Sequence, residues 1–329
     1  MVLAKVYKLQ KHFEGVPKPT DLKVVEEELP ELKNGEFLAE AVYISVDPYM
    51  RVYEKKLKIG ATMLGSQVAK VVESKNPKYP VGEYVVGKFG WRSHTIHTGQ
   101  ETYWLPPYLV DFGGLSPSYG LGVLGMPGNT AYFGLLEICQ PKSGETVVVS
   151  GAAGAVGSLV GQIAKIKGCK VIGIAGSDEK GKWLIGDLKF DSFINYKSQD
   201  INEALKEVAP EGVDCYFDNV GGEISSTVIS NMNEFGRIAA CGAISSYNDD
   251  TDKASPIQYS MVFKQLKMEG FVVTRWQNRW MEGINQNKKW IEEGKLKIQE
   301  TITEGFDNLF AAFVQLFQGT NVGKSIVKV

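Results

Sequence analysis

The apolar run Thr146-Val147-Val148-Val149-Ser150 leads directly into three glycines, Gly151, Gly154 and Gly157, and then into the helix-periodic stretch Val156–Lys167. No other part of the chain limits its possible folds so tightly. A strand without polar alternation is buried on both faces, as in a parallel sheet. Glycines between such a strand and a helix permit a tight turn. They also let backbone N–H groups approach a pyrophosphate, which the positive end of the helix then holds. The spacing is Gly-x-x-Gly-x-x-Gly rather than the stricter Gly-x-Gly-x-x-Gly. The strand before and the helix after therefore carry the inference of a nucleotide site. A Gly-rich turn with no ligand is the bland alternative.

The pattern on either side extends this reading. Upstream, Thr130–Ile138 has a helical apolar period. Downstream, strands are predicted at Lys170–Ala175, Phe193–Asn195, Val213–Asn219, Arg237–Cys241 and Leu266–Val273. Helices are predicted between them at Asp178–Leu188, Ile201–Val208 and Ile224–Met232. Such alternation is the signature of a parallel α/β sheet with crossover helices. Residues 1 to about 120 differ in texture. Short strands at Lys5–Leu9, Phe37–Val46, Gln67–Val72 and Tyr84–Val86 are separated by turn signals such as Asn34-Gly35 and Asn76-Pro77, which suggests a barrel or sandwich module. Lys288–Glu293 and Asn308–Gln318 read as helices, and Asn321–Val329 as a strand able to return to the first module.

The second strand decides which dinucleotide fits. An NAD site usually has a carboxylate at that strand's tip to hold the ribose 2′-hydroxyl. Here the strand ends Ala175-Gly176-Ser177, and Lys180 follows within one helical turn, which suits a 2′-phosphate better. Asp178 is near enough to keep NAD open, and Ser177 also reads as a helix cap. Two later loops, 218–222 and 242–247, fall at strand ends where ligands of open α/β sheets bind.

Composition excludes other classes. Lys+Arg 36 against Asp+Glu 38 leaves a net charge of −2, so no basic surplus exists to neutralise nucleic-acid phosphates. No apolar run approaches the roughly 18 residues of a membrane span. The cysteines, at 139, 169, 215 and 241, form no Cys-x-x-Cys, and the histidines are His12, His94 and His97. No zinc-ribbon spacing exists, so no metal is expected, and His94 and His97 read as surface residues. The four cysteines read as small apolar packing residues. The N-terminus shows no signal-peptide core, since Lys5, Lys8 and Lys11 interrupt it, and the expected location is the cytoplasm.

Longer blocks carry a resemblance. Val46-Asp47-Pro48-Tyr49-Met50-Arg51, Gln67–Asn76, Gly125–Cys139, Ala152–Lys167, Gly176–Lys180, Asp214–Glu223, Phe235–Tyr247 and Asn321–Val329 resemble the zinc-free branch of the medium-chain dehydrogenase/reductase superfamily, and within it the NADPH-dependent alkenal/one reductases. The resemblance implies an α/β protein in two parts. A GroES-like β-barrel module comprises residues 1–124 with 302–329, and a Rossmann doubly wound parallel sheet domain comprises 125–301. It implies NADP(H) as cofactor. Ala152, Ala153, Gly154, Ala155 and Val156 would form the pyrophosphate loop, with Ser177, Lys180 and Tyr196 toward the 2′-phosphate and Asn219 on a later strand end. Cys241, Gly242, Ala243, Ile244, Ser245, Ser246 and Tyr247, together with Phe271, Val272 and Val273, would line the nicotinamide side. Thr130 would lie near the carboxamide, and Asn321 would reach in from the C-terminal segment.

The implied reaction is 1,4-reduction of an enone or enal such as a 15-oxo-prostaglandin or a lipid-derived alkenal. Oxidation of the leukotriene B4 12-hydroxyl, a separate dehydrogenase reaction, is also possible in the family. Such chemistry needs orientation and an oxyanion donor rather than a nucleophile or a metal. Tyr247 is the candidate donor, with packing alone as its alternative role, and Tyr49 is a candidate substrate wall. Arg51 reads either as a substrate neighbour or as a structural ion-pair partner. The alternatives are a quinone reductase of the same superfamily and a non-enzymatic NADPH-binding protein. The expected partners are a small-molecule substrate and a second copy of the chain in a homodimer, with no nucleic acid or membrane. Residues 92–120 and 248–260 depart from the family pattern, Phe263 stands where mammalian relatives have Tyr, and the stretch Gly181–Phe190 carries one extra residue.

Overall fold

Three successive valines form the centre of a sheet in the computed structural model, which describes residues 2–100, 105–248 and 254–329. The chain divides into two compact units. One contains the described residues of 2–122, 300–321 and 325–329, and the other those of 123–299 and 322–324.

The first unit begins with β1 (Val2–Leu9) and β2 (Leu22–Leu29), an antiparallel pair in register from Val2↔Leu29 to Leu9↔Leu22. Then come β3 (Phe37–Ser45), β4 (Gln67–Ser74), β5 (Tyr84–Gly87), β6 (His94–His97) and the short β7 (Tyr108–Leu109). His94 and His97 thus lie on a strand. The His97 ring packs against Phe37 and Phe89, with centroids 6.0 and 5.5 Å away, so the expectation of two surface histidines is corrected for that residue. Residues 101–104 and 249–253, within the two divergent segments, lie outside the described residues.

The second unit holds β8 (Thr146–Ser150), β9 (Lys170–Ala175), β10 (Ser192–Asn195), β11 (Val213–Asp218), β12 (Met232–Ala240) and β13 (Lys267–Gly270). All are parallel, in the order β10-β9-β8-β11-β12-β13. The order runs outward in both directions from β8, so the chain reverses its course beside the glycine loop. β8 is buried along its whole length because it pairs on both sides and is covered on both faces. Helices Gly157–Ile166, Asp178–Gly186, Ile201–Val208 and Gly222–Ser230 make the crossovers. Val148, Ile172, Ile174, Tyr216 and Ile238 from the strands pack with Leu205 and Val228 from the helices.

Three expectations are corrected here. The last strand ends at Gly270, so Phe271 and Val272 lie beyond it and Val273 opens a 3-10 segment, Val273–Arg279. Helix Trp280–Glu292 is longer than the predicted Lys288–Glu293, because its buried face is interrupted by Gly283 and Asn287, which hides the apolar period. The helix predicted from Thr130 begins at Met126 and widens into a π-helix over Gly134–Cys139.

The chain then returns to the first unit. β14 (Glu300–Glu304) and β15 (Lys324–Lys328) complete a sheet ordered β14-β15-β3-β4-β5-β7, with β6 also paired to β3. Helix Leu309–Gln318 packs Leu309, Ala312 and Phe313 against Tyr7, Leu9 and Trp91.

Candidate active site

The glycine loop turns because Gly151 adopts φ +60°, in the left-handed region that favours glycine. Gly157 serves a different need. A Cβ there would stand 2.4 Å from the Gly151 carbonyl oxygen, so only hydrogen lets the helix begin against the turn. Ala152 and Ala153 are buried, while Gly154, Ala155 and Val156 are half-buried at the rim. The Ala153 carbonyl accepts the Gly323 N–H at 2.8 Å, so a residue far along the chain braces the loop.

At the next strand tip, Ser177 is the cap of helix Asp178–Gly186, its side chain accepting the Lys180 N–H at 3.3 Å. Asp178 is held elsewhere, accepting from Asn195 Nδ2 at 2.7 Å. Tyr196 and Lys197, just past β10, lie against Gly176, within 3.0–3.1 Å of where a Cβ would stand. Burial, and then the nearby charge of Lys197, push the Lys180 ammonium below its ordinary value. Two cations and a phenol beside one strand tip, with the local carboxylate engaged by an amide, make a cradle for a dianion. Lys197 was not among the residues expected from the sequence. Its signal was adjacency to Tyr196, but only the β9–β10 pairing brings it to Lys180.

On the other side of β8, Asn219 donates from Nδ2 to the Ser150 carbonyl at 2.8 Å. After β12 the chain makes a short 3-10 turn, Ile244–Ser246, and Tyr247 folds back over Gly242. Its hydroxyl oxygen accepts the Ala243 N–H at 3.2 Å. Ser245 Oγ donates to the Val220 carbonyl at 2.7 Å, joining the loops after β11 and β12. Burial, and then the charge of Asp218, push the Cys241 thiol up to about 12, which leaves it protonated and poorly nucleophilic near neutral pH. Phe271 turns its ring onto Phe217 and Trp276, so its backbone and the exposed Val272 are what it offers to the rim. Thr130 is buried in helix Met126–Phe133, donating from Oγ1 to the Met126 carbonyl at 2.7 Å.

The second unit therefore gathers the expected residues from 152–156, 177–180, 196, 219, 241–247 and 271–273 at the carboxyl ends of successive strands. Tyr49 and Asn321 belong to the first unit. There Tyr49 meets Tyr53 edge-on at 5.8 Å, and burial and then Asp47 push its phenol well up. Arg51 is buried, donating to the Gly15 carbonyl at 3.2–3.3 Å and paired with Glu54 at 3.6 Å, which is a structural placement. Among the described residues no group of three or more His, Cys, Asp or Glu side chains converges. No helix among them is long and apolar enough to cross a membrane.

Comparison with known proteins agrees with this geometry. Residues 5–105 match a family described as the N-terminal domain of oxidoreductase, and residues 155–288 one described as zinc-binding dehydrogenase. The chain is 53% identical to prostaglandin reductase 1 of Bos taurus, with all of both chains covered, and 54% identical to that of Rattus norvegicus over the same extent. It is 39% identical to an NADP-dependent 2-alkenal reductase of Nicotiana tabacum, covering 98% of this chain and 96% of that one. Among solved structures, CurA from Vibrio vulnificus in complex with NADPH superimposes with a TM-score of 0.92 at 37% identity, covering 99% of each chain.

Proposed function

This chain belongs to the prostaglandin reductase 1 family of the medium-chain dehydrogenases/reductases, and on that premise we propose the reaction it runs. It is an NADPH-dependent oxidoreductase that reduces the carbon–carbon double bond of α,β-unsaturated ketones and aldehydes, 15-oxo-prostaglandins and lipid-derived alkenals among them. The observation that carries the choice of NADP is the Lys180–Lys197 pair beside Tyr196, with Asp178 held by Asn195.

When bound, NADPH supplies the hydride that the β-carbon accepts. The protein's residues bind and orient. Backbone N–H groups of Ala153, Ala155 and Val156 hold the pyrophosphate at the start of helix Gly157–Ile166, those of Ala152 and Gly154 being donated to the Ile174 and Gly151 carbonyls. Lys180, Lys197 and Tyr196 hold the 2′-phosphate, and the 241–247 and 271–273 loops flank the nicotinamide. Tyr247 donates its phenolic hydrogen bond to the carbonyl oxygen as negative charge develops there. The Ala243 N–H on its oxygen orients the phenol for that task. A positioned donor and a positioned hydride source suffice, so the reaction needs no metal.

Two finer statements belong to the same proposal. β13 is the last strand of its sheet, and Met268 on it and Val272 just past it are exposed, as are Tyr259 and Phe263 on helix Gln258–Phe263. A second copy pairing along that edge would cover them and remove an aggregation-prone strand. The four free cysteines suit a reducing compartment such as the cytoplasm.

The test is NADPH consumption against a panel of nonenal, a 15-oxo-prostaglandin, 1,2-naphthoquinone and a 12-hydroxyeicosanoid, with product analysis. Saturated ketone or aldehyde as product is the expected result. Turnover of the quinone without any enone or enal would transfer the enzyme to the quinone reductases.

A further inference from the structure

We infer that Asp218 is a positioning residue: its buried carboxylate locks the loops that follow β8 and β11 together, beside the β12 exit that its backbone carbonyl holds, and so presets the seat of the nicotinamide half of NADPH. The inference rests on the cofactor reading above. Asp218 is the last residue of β11 and is only 3% exposed. Its Oδ1 accepts from the Ser150 hydroxyl at 3.1 Å and from the Tyr216 hydroxyl at 2.8 Å. The same oxygen accepts the N–H groups of Val220 and Gly221, each at 3.0 Å. Its backbone carbonyl accepts the N–H groups of Cys241 at 2.8 Å and Gly242 at 3.1 Å.

Each of these bonds ties a different part of the rim. Ser150 is the residue before the glycine loop, and its Oγ also accepts the Asn219 N–H at 3.0 Å. Val220 and Gly221 form the turn after β11, and Cys241 and Gly242 open the segment that ends in Tyr247. One side chain therefore holds the exit of β8 to the exit of β11. The same residue's carbonyl holds the exit of β12. Its charge also reaches Cys241, whose thiol it helps to keep protonated. A carboxylate suits the post because four donors converge on one oxygen, and a full negative charge strengthens every such bond. Removing it would leave two hydroxyls and two backbone N–H groups in a buried space without their acceptor.

The experiment compares the parent with Asp218→Ala and Asp218→Asn, first without cofactor and then with NADPH. Hydrogen–deuterium exchange in the cofactor-free protein should show the amides of Val220 and Gly221 opening about tenfold faster or more in Asp218→Ala. NADPH affinity, read from quenching of protein fluorescence, should fall about tenfold or more. Asp218→Asn keeps an oxygen at the same place and should recover at least about threefold of that loss. Turnover with NADPH deuterated at the transferred position should show a larger isotope effect in Asp218→Ala than in the parent, because a misplaced nicotinamide makes hydride transfer slower relative to the other steps. A folded Asp218→Ala protein with the parent's exchange and affinity would overturn the inference. If Asp218→Ala does not fold, Ser150→Ala decides: a loss of about threefold or more in NADPH affinity supports the inference, and parental affinity refutes it. A parent that binds NADPH but reduces no enone would sink the proposed reaction, while exchange and affinity would still decide the role of Asp218.

Discussion

Two side chains separate cofactor choice from chemistry. Lys180 carries a charge already crowded by burial and by Lys197, which the 2′-phosphate would relieve in the proposed cofactor site. Lys180→Ala should raise the KM for NADPH about ten- to a hundredfold, the value of a charge-assisted hydrogen bond, and leave that for NADH nearly unchanged. Lys197→Ala should move the same constant in the same direction by only about threefold, since Lys197 is exposed and its charge is screened. Steady-state kinetics with both cofactors measures this, and equal use of NADH and NADPH by the parent would defeat it. Tyr247→Phe keeps the ring over Gly242 and removes the hydroxyl. Turnover should fall at least about tenfold with cofactor affinity little changed, at the low end of what an oxyanion donor contributes because a cofactor ribose hydroxyl can substitute. Parental turnover in Tyr247→Phe would make the tyrosine only a wall of the site. Much at this level was legible in advance. The nature of Ser177, Lys180, Asn219 and Tyr247 suggested their chemistry; Ser177 and Asn219 stand just past strand ends, Lys180 in the first turn of the helix after β9, and Tyr247 after the turn that follows β12. Lys197 and Asp218 were not legible, since a lysine after a tyrosine or an aspartate at a strand end looks ordinary until folding shows what it touches.

The strand–turn–helix unit from β8 through Gly157–Ile166 makes a sharper prediction than either of its halves. Gly154 and Gly157 look alike in the sequence, yet their surroundings differ. A Cβ on Gly154 would meet only the Gly151 carbonyl oxygen, at 3.2 Å, whereas one on Gly157 would overlap that oxygen and the Ala152 Cα. Gly157→Ala should therefore displace the loop and weaken NADPH binding about tenfold or more, in keeping with the 1–3 kcal/mol typical of overpacking. Gly154→Ala should cost less than half as much in free energy. Titrating both variants with NADPH by fluorescence checks the order, and a reversed order would mean that the ligand rather than the turn claims the space at Gly154. Elements of this kind were readable because their apolar period is unbroken. Thr146–Ser150, Lys170–Ala175 and Ile201–Val208 lie where their patterns place them, to the residue. Helix Trp280–Glu292 was mostly missed because Gly283 and Asn287 occupy part of its buried face.

For the whole molecule, the prediction concerns assembly. Light scattering at micromolar concentration should report about twice the 36.2 kDa chain mass. A clean monomer at that concentration would contradict pairing along β13. The sequence was sufficient for the two-part architecture and for the glycine turn between β8 and helix Gly157–Ile166. Strand alternation, helix period and glycine placement are local properties, and local steric and hydration forces read them directly. It was also sufficient to weigh NADP against NAD, since the residues concerned lie within a few positions of one strand tip. Other features depend on distance in space and had no local signature. These are the outward order of strands from β8, the meeting of Lys180 with Lys197, the diversion of Asp178 to Asn195, and the bonds from Asp218 to the exits of three strands. Side chains 17 to 68 positions apart touch in these cases because parallel pairing brings every strand's carboxyl end to the same edge of the sheet, and only the folded chain supplies that edge.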